Sequence, residues 1–193
     1  RNPNYAGGHL RRAVLLEREG RIDAAMQENE EVIRLDPLWS TAVSNYARQV
    51  ALVGRLEEAL KLCDRAAALR TDVFLPNRGY RTEILWALGR RAEAVELARS
   101  IRQTPPALRP RWDADAIAIW VLHQAGRTEA ADYANEFLPR LPPDSHMRGF
   151  VLAALGRFEQ ALPFLERTPL DNVNHLYTDA MFDPWREEPR FQQ

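Results

Sequence analysis

The hexapeptide Gly54-Arg55-Leu56-Glu57-Glu58-Ala59 recurs in related form four more times along the chain. Every copy starts with glycine and arginine, has an acidic residue three or four places after the glycine, and ends with alanine. The copies follow one another at steps of 34, 35, 37 and 30 residues. They begin at Gly20, Gly54, Gly89, Gly126 and Gly156. A period of this length over five copies indicates tandem repeats of one supersecondary unit.

Each residue type in the copy suits a turn between two helices. Glycine adopts positive φ at little steric cost and can end the first helix. The acidic residue falls in the first turn of the second helix, where it faces the positive end of the helix dipole. Alanine lets the second helix approach the first closely. Because the apolar residues on both sides keep a helical spacing, each unit is predicted to be a helical hairpin.

Prolines follow the same period at the other end of the unit. Pro3, Pro37, Pro106 and Pro143 are separated by 34, 69 and 37 residues, and the middle interval spans two units. We expect these prolines to close a second helix before the next hairpin begins. Residues 1–5, which contain Pro3, are expected to be the end of a truncated upstream repeat.

The turns and the prolines together resemble tetratricopeptide repeats (TPRs), from about residue 2 to residue 168. The resemblance implies an all-α fold, an α-solenoid of tandem antiparallel helix hairpins wound as a right-handed superhelix. The resemblance also implies a small residue midway along each first helix. Ala13, Ala47 and Gly149 supply that residue, whereas Thr82 and Ile119 replace it. The third and fourth hairpins are therefore expected to pack less regularly.

Five hairpins are predicted over residues 1–168, followed by a capping segment over 169–193. First helices are predicted near 6–18, 40–52, 75–87, 112–124 and 144–154. Second helices are predicted near 22–34, 56–69, 91–102, 128–138 and 158–167.

The period stops after residue 168, and a short apolar helix is predicted within 170–180. Phe182, Trp185 and Phe191 are predicted to cap the apolar end of the last hairpin. Pro184 and Pro189 are predicted to open short helical turns there. This ending also resembles the C-terminal close of arrays appended to bacterial signalling proteins, such as adenylate-cyclase-type and winged-helix regulators.

Composition and charge disfavour several partners. With 26 basic and 27 acidic residues the formal charge is −1, so we expect no nucleic acid partner and no polybasic membrane anchor. No apolar run approaches the roughly 18 residues of a membrane span; the nearest is 114–122. The lone cysteine, Cys63, favours a reducing compartment and thus a cytoplasmic location. The alternative is the periplasmic part of a membrane-tethered regulator.

Residues with catalytic or metal-binding potential do not form a recognisable motif. The four histidines, at positions 9, 123, 146 and 175, lack metal-ligand spacing, and no phosphate-binding loop is present. Cys63 is expected to be buried without a base beside it. Asp113 and Asp115 are interpreted as helix caps. We therefore predict no enzyme activity, catalytic residue, cofactor or metal.

The resemblance implies that first helices line a concave face that binds a peptide or protein segment. Aromatic residues and arginine are favoured at such interfaces. The inward positions of the second to fourth hairpins are Asn45, Arg48, Tyr80, Glu83, Trp86, Ile117, Trp120 and Gln124. Two structural alternatives stay open. The two tryptophans can pack as core between hairpins, and Arg48 can pair with Glu83.

Three functions remain open. The leading hypothesis is a protein–protein interaction module, the regulatory or sensory C-terminal part of a larger bacterial signalling protein. The second is a small-molecule-sensing array with a closed apolar pocket near Tyr80 and Trp120. The third is a structural assembly subunit. The sequence does not indicate the oligomeric state.

Overall fold

The computed structural model describes residues 5–69, 75–105, 113–169, 176 and 179–191. In these residues the chain is all-α, and its α-helices form tandem pairs. The pairs are α1 (Ala6–Arg18) with α2 (Ile22–Leu35), α3 (Ser40–Leu52) with α4 (Leu56–Ala68), α5 (Leu75–Ala87) with α6 (Arg91–Gln103), α7 (Asp113–Gln124) with α8 (Glu129–Phe137), and α9 (His146–Ala154) with α10 (Phe158–Leu165). Short 3₁₀ helices span Leu138–Arg140 and Ala180–Trp185.

The observed α-helices begin and end within two residues of the predicted ones. First helices contact one another along the array, since α3 contacts α5, α5 contacts α7, and α7 contacts α9. We call the surface formed by these first helices the concave face. The division of the chain at residue 168 stays a prediction. Residues 1–4 and most of the predicted helix within 170–180 lie outside the described residues.

The glycine of every repeat has positive φ, between 66° and 81°, as predicted. The N–H of the following arginine donates to the carbonyl oxygen of the apolar residue four places before the glycine, at 2.9–3.1 Å. These pairs are Arg21–Leu16, Arg55–Val50, Arg90–Leu85, Arg127–Leu122 and Arg157–Leu152. Such a closure satisfies a carbonyl group at the end of the first helix. Backbone conformation and hydrogen bonding, as well as close helix packing, therefore explain why the turn sequence recurs.

In the second and third turns the arginine has a further role that the sequence interpretation missed. The Arg55 guanidinium donates two hydrogen bonds to Glu58, at 2.8 and 2.7 Å. Arg90 binds Glu93 in the same way, with both distances 2.6 Å. In these two turns the acidic residue therefore pairs with the arginine as well as interacting with the helix dipole. Because these pairs are exposed, we expect each to contribute little to stability.

Close helix approach depends on small residues at several levels of the array. Ala13 and Ala47 are fully buried, as predicted. A Cβ on Gly149 would lie 2.7 Å from Leu165 Cδ2 and 3.1 Å from the Ala161 carbonyl oxygen. On α5, Gly79 permits a close approach to the next first helix, α7, since a Cβ on it would lie 3.0 Å from Ala114 Cα.

Helix α7 is surrounded by protein. It contacts α5, α6, α8 and α9, and every side chain from 114 to 122 is buried. This burial explains a helix that is apolar on all sides. The interpretation of Asp115 as a cap is wrong, because Asp115 lies inside the first turn of α7. There it accepts a 2.5 Å hydrogen bond from the hydroxyl of Tyr133 on α8.

The C-terminal segment, residues 179–191, packs its aromatic side chains against the last hairpin. Phe182 is fully buried, and its ring centroid lies 5.1 Å from that of Phe150 and 5.7 Å from that of Phe191. The Trp185 ring packs on Phe158, with 5.1 Å between centroids. These contacts place the Phe182 and Trp185 rings on the last hairpin, and the capping segment over residues 169–193 stays a prediction. One detail differs, because Pro184 lies inside the 3₁₀ helix and does not open it.

Candidate functional site

The eight predicted groove residues all lie on the first helices α3, α5 and α7, but they differ in exposure. Arg48 and Trp120 are each 8% exposed and Ile117 is 1% exposed, so these three side chains are buried. Gln124 is exposed. The half-buried ones are Asn45, Tyr80, Glu83 and Trp86. The surface available to a partner is therefore smaller than the predicted one.

Arg48 lies at the centre of a buried polar network. Its guanidinium donates to the carboxylate of Glu17 on α1, and a second nitrogen lies 3.9 Å from the Asp179 carboxylate. The guanidinium also lies over the Tyr80 ring, 5.7 Å from its centroid. Burial by itself lowers the pKa of Arg48, but the charges of Glu17, Tyr80 and Asp179 raise it above its usual range. Arg48 therefore keeps its charge, with a structural partner in α1.

Amide side chains extend this network into α2. The Gln49 amide nitrogen donates to Glu17 at 2.9 Å, and Asn29 of α2 donates to the Gln49 amide oxygen at 2.8 Å. All of these side chains are buried. Since buried polar groups are stabilising only when they are hydrogen-bonded, this network fixes the first hairpin on the second.

Glu83 contacts the C-terminal segment. Its carboxylate accepts a 2.9 Å hydrogen bond from the backbone N–H of Ala180. The preceding residue, Asp179, has an extended backbone with φ −78° and ψ 130°, and it is 3% exposed. The concave face at α3 and α5 thus holds residues 179–180 of the same chain, with Asp179 extended and Ala180 at the start of the 3₁₀ helix. A cavity of about 140 Å³ remains beside it, lined by apolar residues of α3 to α5 as well as Arg48, Glu83 and Asp179.

The two tryptophans have different environments. Their rings meet edge to face with 6.0 Å between centroids. Trp120 is the buried member and packs in the core, as the structural alternative for it predicted. Trp86 remains half-buried, and the Arg91 guanidinium lies 3.7 Å from its ring centroid. Trp86 and Gln124 therefore line an open cleft next to α6, apart from Arg48 and Glu83.

Sequence reasoning missed Glu17 and Asp179 as members of this site. Glu17 lies one turn after the small residue Ala13 on α1, so helical spacing offered a signal for its burial. Asp179 lies beyond the last repeat, where no period places it. A contact between positions 83 and 180 depends on the return of the chain to the array.

Burial and grouping determine whether the residues considered for catalysis or metal binding can have those roles. Cys63 is fully buried, and burial raises the pKa of its thiol to about 12, so it is not a thiolate nucleophile at neutral pH. Within the described ranges, no three His, Cys, Asp or Glu side chains are grouped to hold a metal ion. Of the helices in the described part of the chain, none is both long and apolar enough to cross a membrane.

Comparisons with known proteins agree with this architecture. A family model described as tetratricopeptide repeat matches residues 78–100 and 145–167, in the third and fifth hairpins. None of the curated proteins matches the sequence. A crystal structure of nearly identical TPR-like repeats from Podosopora anserina, assigned to a kinesin light chain, has a TM-score of 0.56 and 16% sequence identity. The similarity covers 93% of this chain and 99% of that chain.

The fold is therefore a TPR-like repeat array of tandem helix pairs. Repeats of the matched family are generally protein–protein interaction modules and are typically non-catalytic. The third hairpin matches the family in spite of its Thr82.

Proposed function

We propose that this chain is a protein–protein interaction module that binds a peptide or protein segment on its concave face. The proposed contact residues are Asn45, Arg48, Tyr80, Glu83, Trp86, Ile117, Trp120 and Gln124. The exposed and half-buried members contact the partner directly. The buried members, Arg48, Ile117 and Trp120, hold the surface in shape.

One observation carries this proposal. The concave face already holds polypeptide, since Glu83 accepts the Ala180 N–H and the carboxylate of Asp179, whose backbone is extended, lies 3.9 Å from Arg48. A main-chain donor and an acidic side chain are groups that any extended acidic segment offers. The same contacts made in trans would bind a partner.

We further propose that the array is the regulatory or sensory C-terminal part of a larger bacterial signalling protein, located in the cytoplasm. The support is the resemblance of residues 182–191 to the close of such arrays. The full reading frame tests this proposal. A cyclase-type or winged-helix domain encoded upstream supports it, and an unrelated enzyme domain there contradicts it.

Photocrosslinking tests the binding face. Tyr80 on α5 is replaced by a photoreactive phenylalanine analogue in the chain expressed in its source cells. The matched control is Tyr46, whose hydroxyl binds Glu30 of α2 at 2.5 Å and so faces the neighbouring second helix. We expect a second polypeptide to be crosslinked from position 80 and not from position 46. Crosslinks from position 80 to residues 179–191 of the same chain alone would contradict the proposal.

The small-molecule alternative receives less support. Its motivation was a closed apolar pocket near Tyr80 and Trp120. The cleft beside Trp86 and Gln124 is open, and its lining contains three arginines. An open and charged cleft favours a peptide over an enclosed metabolite.

A further inference from the structure

The Trp86 cleft is a second surface feature, distinct from the part of the concave face that holds residues 179–180. It is an open cleft of about 520 Å³ between α6 and the C-terminal end of α7. Its lining includes Trp86, Arg91, Glu96, Arg99 and Arg127. Three arginines against one glutamate make it a basic site on a chain whose net charge is −1.

Two of the arginines are held in place before any ligand binds. Arg91 stacks on the Trp86 ring at 3.7 Å and donates to the Trp86 carbonyl oxygen. Arg99 donates to Glu96 at 2.6 Å and to Glu129 at 2.9 Å. A stacked guanidinium is poorly hydrated on one face and keeps N–H groups at its edge for an anion.

The third arginine, Arg127, has no ion pair with any of the described residues. It follows Gly126 in the turn between α7 and α8, so its charge is exposed at the rim of the cleft. Arg91 and Arg127 therefore present two positive charges that no carboxylate among the described residues pairs with. An anionic group on a ligand would complement both of them.

The surroundings restrict which anion fits. Glu96 and Glu129 flank Arg99, and they would repel the dense charge of a nucleic acid backbone. The exposed part of Trp86 offers an apolar surface between the arginines. The lining thus suits a few carboxylates next to an apolar side chain, in a ligand that runs through an open cleft.

We propose that the Trp86 cleft binds a short acidic segment of a protein partner. Its carboxylates pair with Arg91 and Arg127, and an adjacent apolar side chain packs on the exposed part of Trp86. This inference rests on the proposed peptide-binding function and adds the chemistry of the partner.

Selection from a random peptide library displayed on phage tests the proposal, with the whole chain as the target. Selected peptides are synthesised with a fluorescent label and titrated by fluorescence polarisation. We expect enrichment in aspartate and glutamate beside apolar residues, and weaker binding as salt increases. The double variant Arg91→Gln, Arg127→Gln is expected to bind on the order of tenfold more weakly or worse. Both arginines are exposed, so circular dichroism should show an unchanged thermal midpoint.

The matched control is Arg157→Gln, which changes the arginine after Gly156 in the equivalent turn of the fifth hairpin and should leave binding unchanged. Selected peptides without acidic enrichment, or an unchanged affinity of the double variant, overturn the assignment of the cleft. If such peptides instead lose affinity on Glu83→Gln, the proposed function stands without the cleft. A chain that selects no peptide contradicts both proposals.

Discussion

The backbone N–H of Ala180 donates a 2.9 Å hydrogen bond to the carboxylate of Glu83, which lies 97 residues earlier in the chain. With the Asp179 carboxylate 3.9 Å from Arg48, this contact fastens the C-terminal segment to the concave face. A partner that uses Glu83 therefore has to compete with a segment that is always present at high effective concentration.

Removing the Ala180 donor tests how firmly this segment is held. Ala180→Pro deletes the N–H, and proline suits this position because Ala180 is the first residue of its 3₁₀ helix and Asp179 is already extended. We expect the free energy of unfolding to fall by about 1–2 kcal/mol, since Glu83 loses its donor. Urea denaturation measures the change. Ala180→Ser keeps the N–H and should stay near wild type; equal effects of the two variants would count against the contact.

Glu17 should be the most sensitive position of the buried network. Glu17→Ala removes the carboxylate that pairs with the buried Arg48 guanidinium, and we expect a loss of about 3–5 kcal/mol. The exposed Glu57 gives a control variant, Glu57→Ala, with little change. Replacing Glu17 and Arg48 together by methionine should cost less than the two single changes combined. Strict additivity in chemical denaturation would contradict the pairing.

Stability should decline in alkali partly because of Cys63. Burial raises the pKa of this thiol from 9.0 in the unfolded chain to about 12 in the fold. Between these values the folded state keeps a proton that the unfolded state releases, so stability is full below pH 9 and falls as pH rises toward 12. Thermal midpoints measured across this range should fall less steeply for Cys63→Ala than for wild type. Parallel curves would argue against a buried thiol.

Two glycine substitutions should have opposite signs. Gly149→Ala places a Cβ 2.7 Å from Leu165 Cδ2 inside the fifth hairpin, and we expect overpacking to cost about 1–3 kcal/mol. Gly8→Ala lies in an exposed part of α1, where, among the described residues, its Cβ would meet the Tyr5 side chain alone, at 3.3 Å. That change should stabilise the chain by roughly 0.5–1 kcal/mol through helix propensity. Thermal unfolding distinguishes the two, and a tolerated Gly149→Ala would mean that the helices can separate.

The sequence was sufficient to predict the array because its signals are local. A glycine at positive φ ends each first helix through backbone geometry within six residues, so the turns at Gly54 or Gly156 need no distant contact. Helical spacing likewise assigned Tyr80 and Trp86 to the first helix of the third hairpin. The same spacing could not distinguish Trp120 from Trp86, because it reports a face of the helix and not what packs against that face.

Tertiary structure alone decided what fills and surrounds the candidate site. Arg48 is paired with Glu17 of the preceding hairpin, and residues 179–180 return to lie against Glu83. The repeat period reveals neither contact, because each one joins distant parts of the chain through tertiary packing. The sequence by itself thus determined the stack of hairpins and the helices that line its concave face. Only the folded chain decided which side chains of that face remain open to a partner, because burial depends on every neighbour at once.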